Sequence, residues 1–191
     1  MPEVFRKSYP DTFIIINATE IKRESPNDLS PQSQHYSTDK SHSTLKGLVG
    51  VAPNSFFTLV SQLFTGSISD KELVIQSDIF HLLDMVPPGK CVMAGRGFEM
   101  QELLIKPNFI LNIPPFKGDQ TSMPLADVLK TQKIVGVKIH IERAIGRVKY
   151  LLQILQREIP LTMEGSINQI WFICCMLTNF MGPLIAENSD S

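Results

Sequence analysis

One stretch constrains the fold more than any other. Apolar residues recur at Ile134, Val137, Ile141, Ala144, Ile145, Val148, Leu151, Leu152 and Leu155. Steps of three and four put them on one side of a helix, which must cover a core. The pattern predicts a long helix over about 125–156, closed by Pro160. Inside it runs HIERAIGRVK, His140 to Lys149. Glu142 lies off the centre of the stripe, with Lys138 one turn before and Gly146 one turn after. Such a carboxylate has two readings. It can reach a metal ion or a phosphate from a packed helix, or it can pair with Lys138 at i,i+4 on the surface.

The rest of the chain supplies a sheet for that helix. Thr12–Ile16 is apolar on both faces and is predicted as a central strand, with Asn17 at its end facing a cleft. Residues 23–43 are polar with two prolines. They read as an exposed loop, or as a substrate-contacting loop carrying Arg23, Lys40 and His42, with Lys46 beyond it. Leu45–Val51 and Phe56–Leu63 flank the turn residues Pro53-Asn54-Ser55 and are expected to form a hairpin. Ser69 and Glu72 have capping-box spacing, so Asp70 is first a helix-start carboxylate and second a metal ligand. Lys90–Ala94 and Phe109–Asn112 read as two further strands. Gly95-Arg96-Gly97 turns the first of them into a helix over about 98–105. Ser166 is the expected cap of a last, nearly all-apolar helix carrying Trp171, Phe172 and Phe180, a composition that calls for burial on all sides. A Met- and Phe-bearing helix of this kind would pack on a partner if it were exposed. The element order is three antiparallel strands, a helix, two strand–helix units and terminal helices.

Composition narrows the function classes. The chain has 191 residues, is 43% hydrophobic and carries a net charge of −1, so whole-chain charge offers nucleic acid no attraction. The cysteines Cys91, Cys174 and Cys175 make no disulfide framework and no zinc spacing, and read as buried small hydrophobes. The N-terminus lacks the apolar segment of a signal peptide, and the run Ile170–Met181 is too short to span a bilayer. The expectation is a soluble intracellular protein, in nucleus or cytoplasm, with no membrane and no small-molecule substrate. Residues 1–185 are expected to form one domain and residues 186–191 a disordered tail.

HIERAIGRVK resembles the last conserved block of the PIF/Harbinger-type transposase-derived nucleases, which are DDE superfamily endonucleases. The resemblance extends through IIINATEI (Ile14–Ile21), YSTDKSHSTLK (Tyr36–Lys46), SISDKE (Ser67–Glu72), VMAGRGF (Val92–Phe98) and LNIPPF (Leu111–Phe116), in that order. It implies an α/β, RNase H-like mixed sheet with flanking helices, and catalysis by Mg²⁺ or Mn²⁺. Such nucleases use two ions about 3.5–4 Å apart. These repel by roughly 16 kcal/mol at an effective dielectric near 20, so anionic oxygen ligands must offset most of it.

Carried onto this chain, the three acidic positions of the family fall on Asn17, Gly95 and Glu142. Only Glu142 is an acid. Asn17 offers a neutral amide oxygen and Gly95 no side chain, so the resemblance implies a copy that has lost nuclease activity. The alternative is a working metal-dependent DNA endonuclease in which Glu20, Asp70 or Glu99 substitutes for the missing acids. Lys40, His42, Arg96, Arg143, Arg147 and Lys149 are the candidate nucleic-acid contacts, against the plainer reading of a solvated basic face. No room for a DNA-recognition module is expected before Thr12, which leaves DNA, or a partner protein that binds DNA, as the expected partner.

Overall fold

The computed structural model describes residues 3–25, 36–37, 42–94, 109–112, 125–182 and 184. Helix α1 (Glu3–Ser8) leads into β1 (Thr12–Lys22). A two-residue strand β2 (Tyr36–Ser37), then β3 (His42–Val51) and β4 (Phe57–Thr65) follow. Two short helices, α2 (Asp70–Gln76) and α3 (Ile79–Asp84), precede β5 (Lys90–Ala94) and β6 (Phe109–Asn112). The long helix α4 (Leu125–Leu151) continues into α5 (Gln153–Gln156), a 3-10 helix (Leu161–Ser166) and α6 (Ile167–Thr178).

The sheet is mixed, with β1 at its centre. On one side β1 pairs antiparallel with β3, which pairs with β4 and, at its start, with β2. On the other side β1 pairs parallel with β5, and β5 with β6. This is the α/β, RNase H-like arrangement that the element order and the resemblance implied. The expected hairpin also forms, with Ser55 at a positive φ of 75° in its turn.

Alternation along the strands divides the core into two clusters, one per face. Ile15, Ile21, Val49 and Val51 join Ile141, Ala144, Ile145 and Val148 of α4 and Trp171 and Cys175 of α6. Ile14, Ile16, Leu48 and Val92 join Leu73 and Val74 of α2 and Ile79 and Leu83 of α3. Ile14, Ile15 and Ile16 are all buried, and each full burial contributes about 1.5–3 kcal/mol. No described helix is long and apolar enough to cross a membrane.

Five expectations need correction. First, β1 runs on to Lys22, so Asn17 stands in mid-strand, opposite Val49, rather than at a strand end. Pairing with β3 stabilises this extension, which the polar residues Asn17, Thr19 and Glu20 concealed. Second, Arg23 is no loop residue. It is 6% exposed, forms a bridge with Ile159, and its guanidinium pairs with Glu164 at 3.2 Å.

Third, the long helix breaks at Leu152, whose backbone is extended (φ −103°, ψ 99°). The Lys149 ammonium already reaches the Glu20 carbonyl near the end of β1. The chain must turn there for Ile159 to donate to Lys22 and accept from Glu24. Leu151 is consequently exposed while Leu155 is buried. Fourth, Ser166 makes no side-chain cap; the 3-10 helix runs straight into α6. Fifth, α6 is not buried all round. Trp171, Cys174, Cys175 and Thr178 are buried, while Phe172, Ile173, Leu177 and the following Phe180 are exposed.

Candidate metal centre

Helix α4 is anchored over β1 at two points. At one, the His140 imidazole Nε2 lies 2.8 Å from Ser55 Oγ, and its ring meets Phe5 of α1 edge-on with centroids 5.2 Å apart. At the other, Lys149 Nζ donates to the Glu20 carbonyl. The turn carrying Glu142 lies between these anchors. Asn17 alternates with Ile15 and Ile21, so its side chain is on the face that α4 covers. It is also one residue past the last parallel pair of β1 with β5, Ile16 with Ala94. That crevice, beyond the end of β5 where strand direction changes across β1, is where open α/β sheets gather their functional groups.

Glu142 does not turn into the crevice. Ile141, Ala144, Ile145 and Val148 face the sheet, and one residue along a helix rotates the side chain by about 100°. The Glu142 side chain is 55% exposed and pairs with Lys138 at 3.8 Å, the surface i,i+4 pair. A pair of this kind contributes about 0.3–0.5 kcal/mol.

The other acids lie elsewhere. Glu20 is opposite Lys46 in the β1–β3 register and accepts from the Thr44 hydroxyl at 2.8 Å. It alternates with Ile14 and Ile16, on the face away from α4. Asp70 opens α2 on that same face and pairs with Lys46 at 2.6 Å. Its helix-start role is therefore met: the Ser69 hydroxyl accepts from the Glu72 amide, and the acid lies at the positive end of the helix dipole. The capping box is only half formed, since the Glu72 carboxylate accepts from Gln76. Lys46, with its ammonium donating to the Ile68 carbonyl as well, is tied into this cluster rather than presented to a substrate. Gly95, Arg96, Glu99 and Lys40 lie outside the described residues, as does the side chain of His42.

The basic residues at the end of α4 are engaged differently from one another. Arg143 is exposed. Arg147, one turn on, donates to the Gly182 carbonyl at 2.6 Å. Lys149 is turned towards β1.

A family model for the DDE superfamily endonucleases matches residues 16–179, from the centre of β1 to the end of α6. The chain belongs to that family. No curated protein and no solved structure matches it. DDE endonucleases generally work with divalent metals, which makes the donor set of this DDE domain the decisive matter. The described donors do not fit a pair of doubly charged ions. One carboxylate points to solvent beside an ammonium group, a neutral amide stands on β1, and two acids lie across the sheet. Among the described residues no three His, Cys, Asp or Glu side chains gather where they would hold a metal ion.

Two features of this face carried no signal in residue type alone. His140 reads as one polar residue on an apolar stripe, yet it joins α4 to the hairpin turn and to α1. Burial pushes its pKa below the ordinary imidazole value, opposed in part by a hydrogen bond with the Pro53 carbonyl; Arg143 lowers it further. Asn168 and Asn179 flank α6 and cover the free edge of β4. The Asn168 side-chain oxygen accepts from the Leu63 amide at 2.7 Å. The Asn179 amide bonds both backbone groups of Phe57, at 2.8 and 3.0 Å.

Proposed function

We propose that this DDE domain is a degenerate, PIF/Harbinger-type copy without nuclease activity, retained as a binding module for DNA or for a DNA-binding protein in the nucleus. The observation that carries the reading is the amide of Asn17. It stands on the α4 face of the central strand, where the family places an acid. Replacing a carboxylate by an amide removes a full negative charge from a site that must neutralise about four positive ones. Gly95, by sequence, removes a second. Recruitment of Glu20 or Asp70 is disfavoured because both are on the far face of the sheet, engaged with Thr44 and Lys46.

Calorimetric titration with Mn²⁺ and Mg²⁺ tests this. The wild type is expected to show no binding below millimolar concentration. The double variant Asn17→Asp, Gly95→Asp is expected to bind, with Glu142 rotating in from its surface pair as a third ligand. Metal-dependent cleavage of DNA by the wild type, abolished by Glu142→Gln, would overturn the proposal.

A further inference from the structure

Helix α6 carries two apolar stripes. Its inner stripe, Trp171, Cys174 and Cys175, closes the core and the edge of β4. The outer stripe runs Phe172, Ile173, Leu177 and Phe180, again at helical spacing, with Met181 beside it. These side chains are 49%, 53%, 48% and 89% exposed, and Met181 is 36% exposed. Taking roughly 150–250 Å² for a large side chain, that leaves roughly 500 Å² of contiguous apolar surface. That is in the upper part of the roughly 300–600 Å² covered by the largest patch on a typical monomer, and such a patch is often functional.

The chemistry of the patch selects its occupant. From Gly165 to Ala186 the chain has no charged residue. Within that span nothing attracts a phosphate backbone or an anionic lipid surface, and the one described cation at its end, Arg147, is held on the Gly182 carbonyl. An uncharged stripe is, however, complementary to itself. Two copies laid antiparallel about a two-fold axis set Phe172 of one near Phe180 of the other, with no charged residue on either stripe. Doubling the patch buries roughly 1,000 Å², the lower bound for a specific interface.

We propose that the outer face of α6 is a homodimer interface, formed by two copies of this chain through antiparallel α6–α6 packing. It stands apart from the metal question, since it uses none of Asn17, Gly95 or Glu142.

Light scattering coupled to gel filtration, from about 2 to 200 µM, tests it. The full chain is expected to pass from monomer to dimer with a midpoint on the order of 10 µM, as suits an interface at the small end of the range. Phe180→Glu is expected to shift that midpoint at least tenfold upward. It leaves the circular dichroism and the melting temperature of the monomer unchanged, because Phe180 is almost wholly exposed. Leu177→Cys, near the expected two-fold axis, is expected to form a disulfide-linked dimer under mild oxidation, and Thr162→Cys is not. A monomer throughout the range, a dimer indifferent to Phe180→Glu, open-ended aggregates, or equal cross-linking from position 162 would each overturn the proposal.

Discussion

His140 shows how much one side chain can fix. It is buried at the junction of α4, the β3–β4 turn and α1, bonded to Ser55 and packed edge-on to Phe5. Its pKa in the folded chain lies below the ordinary 6.5, chiefly because burial disfavours the imidazolium. The unfolded chain therefore takes up this proton first on acidification. The contribution of His140 to stability is full above about pH 6.5 and falls as pH drops from there through the depressed folded value. Urea unfolding at pH 7.5, 6.5 and 5.5 is expected to show stability falling with acidity, and His140→Gln is expected to flatten that dependence. An unchanged slope in the variant would place the sensitivity elsewhere.

At the scale of elements, β4 is an edge strand of the sheet. A free strand edge is a template for another chain. Here the asparagines at both ends of α6 occupy it, and Asn179 does so as a strand neighbour would, donating to one backbone group of Phe57 and accepting from the other. Asn179→Ala is expected to destabilise the fold by about 1–3 kcal/mol, the cost of leaving partly buried groups unpaired. Hydrogen exchange should localise the loss, with faster exchange at the Phe57 amide and no change at β1. Uniformly faster exchange across the sheet would mean that the clamp stabilises the whole domain rather than one edge. Inside the same sheet a Cβ on Gly50 would sit 2.4 Å from Ile14 Cδ1 and 3.0 Å from Leu59 Cβ. A side chain at position 50 would require the buried Ile14 side chain to give way.

For the molecule as a whole, the sheet separates two sets of acids. Glu142 belongs to the α4 face, Glu20 and Asp70 to the other, and no side-chain rotation carries a carboxylate through the strands. On the proposed reading, restoring metal binding depends on positions 17 and 95, and it should register in global stability. A ligand that binds only the folded state raises the unfolding free energy by RT ln(1 + [L]/Kd), about 2.7 kcal/mol at one hundred times Kd. In thermal scans the wild type is expected to melt at the same temperature with and without 10 mM Mg²⁺. The double variant Asn17→Asp, Gly95→Asp should melt lower than the wild type without metal, from carboxylate repulsion, and recover several degrees with it.

The sequence determined the fold class, the order of the elements and the inner face of α4. Period-two alternation and steps of three and four are local consequences of strand and helix geometry, and they stay visible in one chain. Ile141, Ala144, Ile145 and Val148 read as core, and they are core. The reading that Asn17 and Gly95 stand where the family places acids rests on the sequence resemblance alone, since it concerns residue identity and uses no coordinates. Tertiary structure alone decided which acids share a face. Register did that, by setting Glu20 opposite Lys46 and Asn17 opposite Val49. It alone lengthened β1, because pairing with β3 carries Asn17, Thr19 and Glu20 within the strand. It alone left one stripe of α6 in water, because composition gives a helix its hydrophobicity but only packing against β4 and α4 chooses which side is covered.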